Sequence, residues 1–128
     1  MNTYRFNDIG VCVNPDKATY YAHPKRGAID YCAIVFFQHP DTQEWMGTPS
    51  FMAPSPAAGY HGCPSYWSLQ RFPTREKTEL HYLDYMLSDQ FKKKVTGCHD
   101  YLTAAARSAA EARRAELISP APKQLTLF

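Results

Sequence analysis

The run Tyr31-Cys32-Ala33-Ile34-Val35-Phe36-Phe37 constrains this chain more than any other stretch. It is short, unbroken and built from β-branched and aromatic residues, so it reads as a strand with both faces buried. It is far too short to span a bilayer. A strand of this kind must sit centrally in a sheet, with material packed on each side. His39-Pro40-Asp41-Thr42 follows with turn chemistry. Residues 44–52, EWMGTPSFM, then read as the returning strand of a hairpin, ended by Pro49 or moved by it to a sheet edge.

Upstream, residues 4–13 (YRFNDIGVCV) read as another strand, stopped at Asn14-Pro15-Asp16. Downstream, residues 53–65 (APSPAAGYHGCPS) are rich in proline and glycine and read as a long irregular segment, a kind of loop that often carries function. Residues 66–72 (YWSLQRF) read as a further short strand.

The second half changes period. Leu80, Leu83, Leu87, Phe91 and Val95 recur at helical spacing, with Thr74 placed as N-cap and Gly97 as stop. Ser88 is a point where this stretch divides in two. Asp100 is then placed as the cap of a helix over 101–117, rich in alanine, the best helix former. Its stripe of Leu102, Ala106, Ala109, Arg113 and Leu117 is thin, and small residues there favour close packing. Pro120 and Pro122 end it. The expected fold is α+β: a small antiparallel sheet from the N-terminal half, packed by two or three C-terminal helices. A chain of 128 residues is expected to form one domain, over 1–118, followed by a proline-containing linker and terminal peptide over 119–128.

Composition narrows the function classes. Hydrophobic residues make up 45% and charged residues 20%, which is globular usage. The net charge of +2 is too small to argue for nucleic acid by itself, although the basic residues concentrate in the second half. The first ten residues lack a signal-peptide apolar region, so the expected location is cytoplasmic, with no membrane partner. Cys12, Cys32, Cys63 and Cys98 show no metal-type pairing in sequence, and read first as small buried hydrophobes.

The chain closes on Gln124-Leu125-Thr126-Leu127-Phe128, beyond Pro120 and Pro122. This pentapeptide resembles the Gln-Leu-x-Leu-Phe motif with which bacterial replication and repair proteins bind the DNA polymerase III sliding clamp. Gln124, Leu125, Leu127 and Phe128 match the motif, and Thr126 takes its variable middle position. The resemblance covers these five residues and implies a partner, not a fold. It implies that Leu127 and Phe128 are adjacent apolar anchors for one pocket, with the Gln124 amide fixing register. Tucking of the tail into the chain's own core is the alternative.

Other constellations point elsewhere. His61, Cys63, Cys98 and His99 have the soft and imidazole donors that suit zinc, at unusual spacings. Packed cysteines and an unligated loop histidine explain them better, so no metal or cofactor is expected. Cys63 is a nucleophile only if a histidine activates it. Asp30, Asp41 and Glu44 lie around the hairpin without a nuclease motif, so no catalytic residue is assigned. Rings and cations interleave at Tyr20, Tyr21, His23, Lys25 and Arg26, and again at Tyr66, Trp67, Arg71 and Phe72. Single-strand binders use such mixtures. With Lys92, Lys93 and Lys94, the cations Lys25, Arg26 and Arg71 are the candidate nucleic-acid contacts; core packing of the rings and a solvated lysine face are the alternatives. Three functions follow: a small bacterial, plasmid or phage protein that docks on the clamp, a DNA-acting enzyme addressed there, or a defence or counter-defence module acting through 53–65.

Overall fold

The run at 31–37 becomes the second strand of a sheet in the computed structural model, which describes residues 4–54, 57–62, 64–65, 67–68, 70–88 and 102–119. Strands β1 (Asp16–Ala22), β2 (Tyr31–Gln38), β3 (Trp45–Pro54) and β4 (Ala57–His61) form an antiparallel sheet in the order β1-β2-β3-β4. Helices α1 (Arg75–Met86) and α2 (Ala104–Ile118) follow. The fold is α+β, with an antiparallel sheet first and the helices after it.

Alternation along β2 explains its continuous hydrophobicity. Cys32, Ile34 and Phe36 face the helices and join Phe51, Leu83, Met86 and Ala110 in the main core. Phe37 faces the other way and packs with Met46 and Cys12 under Tyr4 and Phe6. The rings of Tyr4 and Phe6 meet Phe37 edge-on at 5.9 and 5.3 Å.

That second cluster corrects the reading of 4–13 as a strand. Asn7 turns the chain: its Oδ1 accepts from the N–H groups of Ile9 and Val11, both at 3.0 Å. Gly10 adopts φ 86°, a left-handed conformation that glycine accepts at no steric cost. The two arms meet at an isolated Phe6–Cys12 bridge, where Asn7 N–H donates to the Val11 carbonyl at 2.9 Å and Val13 N–H to the Arg5 carbonyl at 2.8 Å, and they fold over Phe37. The strand signal came from two arms pressed on one ring. The true first strand begins at Asp16, where a stop was expected; it is an edge strand with one mixed face, so its pattern is weak. A bulge between Thr19 and Tyr21 sets both Tyr20 and Tyr21 against the helix-side core.

Pro49 neither ends β3 nor moves it to an edge. It lies within an inner strand, paired with Ile34. Its carbonyl faces the β4 side and accepts from Gly62 N–H at 3.3 Å. Its missing donor therefore faces the place where the β3–β4 ladder runs out. The segment 53–65 is likewise corrected: Ala53 and Pro54 finish β3, and 57–61 return as β4. Residues 66–72 form no strand among the described residues; Phe72 makes one isolated bridge to Trp45.

Two turns share one device. In His23-Pro24-Lys25-Arg26 the His23 Nδ1 accepts from the N–H groups of Lys25 and Arg26 at 3.1 Å. In His39-Pro40-Asp41-Thr42 the His39 Nδ1 does the same for Asp41 and Thr42 at 3.1 and 3.3 Å. Each imidazole imitates the side-chain turn usually made by Asn or Asp.

Thr74 caps α1 as expected, its Oγ1 accepting from Lys77 N at 3.2 Å, with Glu76 favourably placed in the first turn. The helix ends at Met86, and the Ser88 hydroxyl donates to the Tyr85 carbonyl at 2.6 Å. Phe91, Val95 and Gly97 lie outside the described residues. The buried face of α1 uses Thr78, Glu79, Tyr82, Leu83 and Met86, so leucine spacing caught only part of it. Thr78 packs against Gly47, where an added Cβ would stand 2.8 Å from the Val35 carbonyl oxygen and 3.1 Å from Thr78 Cγ2. Glycine there lets helix and sheet approach closely.

The second helix starts at Ala104, not at 101, and its cap is Thr103; Asp100 lies outside the described residues. Thr103 Oγ1 accepts from Ala106 N at 3.3 Å and donates to the buried Asp30 at 3.1 Å. That second bond gives Thr103 its advantage as a cap, and it is invisible in local sequence. Ala106 and Ala110 bring α2 close to the sheet, and the Cys32 thiol donates to the Ala106 carbonyl at 3.4 Å.

Candidate functional site

A cavity of about 570 Å³ lies on the helix side of the sheet. Its floor is Gly47-Thr48-Pro49 of β3 with Tyr60 of β4. One wall is His81, Tyr82 and Tyr85, presented by α1. The opposite wall is the connection after β4, with Pro64, Ser65, Ser68 and Gln70.

That connection is held at both ends. Near its start, the Cys12 N–H donates to the Pro64 carbonyl at 2.9 Å. At its end, Trp45 and Phe72 exchange two backbone hydrogen bonds, at 2.7 and 2.9 Å. In between, Arg71 Nε donates to the Ser68 carbonyl at 3.3 Å. The ring positions are fixed as well. Tyr60 stacks on Phe51 with centroids 6.2 Å apart. His81 lies 4.8 Å from both Phe72 and Tyr82. Burial pushes the Tyr82 hydroxyl above its ordinary range, partly offset by its hydrogen bond with Ser68, so it stays a neutral phenol.

Among the described lining residues there is no carboxylate, ammonium or guanidinium. The polar groups are phenols, hydroxyls, an amide and an imidazole, each able to donate and accept. None of Tyr60, His81 and Tyr85 stood out in the sequence reading. The signal was the His81–Tyr85 spacing on α1, one turn apart on one face.

A charged cluster sits elsewhere, between β1 and the two helices. Arg113 grips the Glu79 carboxylate through Nε at 2.8 Å and Nη2 at 3.0 Å, while the Tyr20 hydroxyl donates to Glu79 at 2.7 Å. The Glu79 side chain is only 5% exposed. Burial alone would raise its carboxyl, but hydrogen bonds from Arg113 and Tyr20 and the charges of Arg113 and Arg75 outweigh it, and the carboxyl lies below its ordinary range. Burial and the Glu79 bond push the Tyr20 phenol far up, and the same carboxylate raises the Arg113 guanidinium. These groups stay locked in one protonation state at neutral pH, which suits a structural clasp rather than proton transfer.

The sequence-selected residues fall in several places. Gln124, Leu125, Thr126, Leu127 and Phe128 lie outside the described residues, as do Lys92, Lys93, Lys94, Cys63, Cys98, His99 and Tyr66. Lys25 and Arg26 are exposed on the His23 turn before β2. Arg71 lies near the other end of that strand, paired with Glu44 at 3.5 Å. The eight residues of β2 separate the two places by roughly 25 Å. Tyr20, Tyr21 and Phe72 pack against the core, whereas Trp67 is 74% exposed and donates its indole N–H to the Ile9 carbonyl at 2.7 Å.

The carboxylates do not converge. Asp30 is buried before β2 and holds Thr103, whereas Asp41 and Glu44 follow the strand. Among the described residues no three His, Cys, Asp or Glu side chains come together in a metal-type cluster. Cys32 is buried, and burial pushes its thiol up to about 12 despite a backbone hydrogen bond from Tyr21. Cys12 is also buried and raised by burial. Both are therefore poor nucleophiles. No described helix is long and apolar enough to cross a membrane. Comparison with protein-family models, curated proteins and solved structures finds no match for the chain.

Proposed function

We propose that this chain is a cytoplasmic protein that binds the bacterial DNA polymerase III sliding clamp through Gln124-Leu125-Thr126-Leu127-Phe128, placing its α+β domain at the replication machinery or displacing other clamp ligands. The observation that carries this reading is the pentapeptide itself, matched at Gln124, Leu125, Leu127 and Phe128. One feature of the fold supports it. The second helix ends at Ile118, with Ser119 as its cap, before Pro120 and Pro122.

Burial of Leu127 and Phe128 in one partner pocket contributes roughly 3–6 kcal/mol. Ordering the peptide opposes this, so the expected affinity is micromolar, about −8 kcal/mol. Calorimetric titration of purified clamp with the full chain tests the reading. Replacing Leu127 and Phe128 together by Ala is expected to reduce binding to millimolar or weaker and leave the melting temperature unchanged. Gln124→Ala is expected to weaken binding by about 1–2 kcal/mol, through lost hydrogen bonds. Undiminished affinity in the double variant would refute docking through this peptide.

A further inference from the structure

We propose that the cavity between α1, β3–β4 and the 64–70 connection is a binding site for an unpaired nucleobase. The argument starts from what the lining rejects. Among the described lining residues no cation is present to neutralise a phosphate or carboxylate. None of them is a carboxylate that would attract an amine or a metal ion. Its many hydroxyl, amide and imidazole groups make it a poor home for a purely apolar chain, since each would lose water without a partner.

A ligand that fits is neutral, flat and hydrogen-bonding. Tyr60 and Tyr85 offer aromatic surface, and base–ring stacking is insensitive to which base is present. Gln70 and Ser65 offer amide and hydroxyl groups at the opposite wall, suited to the donor–acceptor edge of a base. The volume of about 570 Å³ falls within the range of small-molecule sites. The anchored ends of the connection and the clustered rings of His81, Phe72 and Tyr82 reduce the ordering needed on binding. A base within a duplex cannot enter, because its edge is paired and its faces are stacked. The ligand is therefore a base from a single strand or a free nucleoside.

Calorimetry on the full chain distinguishes these sources. The probes are thymidine, adenosine, ten-residue oligo-dT and oligo-dA, their duplex, and a glucose oligomer that offers hydroxyls without an aromatic face. No clamp is present, so the result is independent of the docking reading above. Expected is saturable binding of a nucleoside, a single strand or both, with no binding of duplex or sugar. Tyr85→Leu and Gln70→Ala should each weaken that binding at least tenfold, while Tyr85→Phe retains it. Gln70 is exposed, so its variant keeps the test valid if Tyr85→Leu is poorly folded. Glu111→Gln, exposed on α2 and away from the cavity, should leave nucleoside binding unchanged. Absence of nucleoside and strand binding at millimolar concentration would overturn the proposal. So would preference for duplex or sugar, or binding indifferent to both Tyr85→Leu and Gln70→Ala.

Discussion

Replacing Glu79 by Gln is expected to destabilise the fold by about 2–3 kcal/mol at pH 7. The substitution keeps the shape and leaves a carbonyl oxygen for the Tyr20 hydroxyl, but removes the charge that Arg113 grips through Nε and Nη2. Breaking a buried ion pair from one side costs about 3–5 kcal/mol when the stranded charge is trapped. Arg113 is not trapped: its side chain is 36% exposed and also meets Glu116 at 3.1 Å, so part of its charge rehydrates. That places the loss below the fully buried range. In urea, with a slope of about 2 kcal/mol per molar, the midpoint should fall by about 1–1.5 M. Acid should show the same interaction. An unfolded glutamate titrates near 4.3, and the folded Glu79 carboxyl lies below its ordinary range. Its contribution is therefore complete above about pH 5 and is lost as pH falls through the folded value. The Gln variant should lack this part of the acid dependence. An unchanged midpoint at pH 7, or an equally steep acid slope in both proteins, would refute the clasp.

Thr103→Ala removes the α2 cap and the bond to buried Asp30, and should lower stability by about 1–2 kcal/mol in chemical denaturation, more than an ordinary exposed cap. Gly47→Ala forces a Cβ against the Val35 carbonyl and Thr78, and should cost about 1–3 kcal/mol, seen as a lower melting temperature. Iodoacetamide at pH 8 should leave Cys32 unmodified in the folded protein and alkylate it after denaturation, read by peptide mass mapping.

Much of the fold was legible because two signals were strong. The β2 run could only be a buried strand, and the alanine-rich segment could only be a helix. The parts that misled did so for physical reasons. Residues 4–13 carry the apolar pattern of a strand because both arms of a turn cover Phe37. Asp16–Ala22 hides its strand character because an edge position and a bulge break the alternation. Thr103 was overlooked as a cap because its advantage lies in Asp30, far away in sequence. The cavity was illegible for a related reason. Tyr60, Gln70 and Tyr85 come from a strand, a connection and a helix, and only the return of β4 and the Trp45–Phe72 contact bring them around one space. The proposed docking peptide stood out in sequence because a linear motif needs no fold to assemble it.

The bulge at Tyr20 has a consequence for the company the protein keeps. β1 is an outer strand of the sheet, and such a strand offers a row of backbone donors and acceptors to any other extended chain. Here the register slips between Thr19 and Tyr21, so the row is broken midway. Exposed Lys17 places a cation on the same strand, and two copies brought edge to edge would repeat that charge. The irregularity that turns two tyrosines inward thus also makes the strand a poor template for self-association, and protects a small sheet from growing into an aggregate.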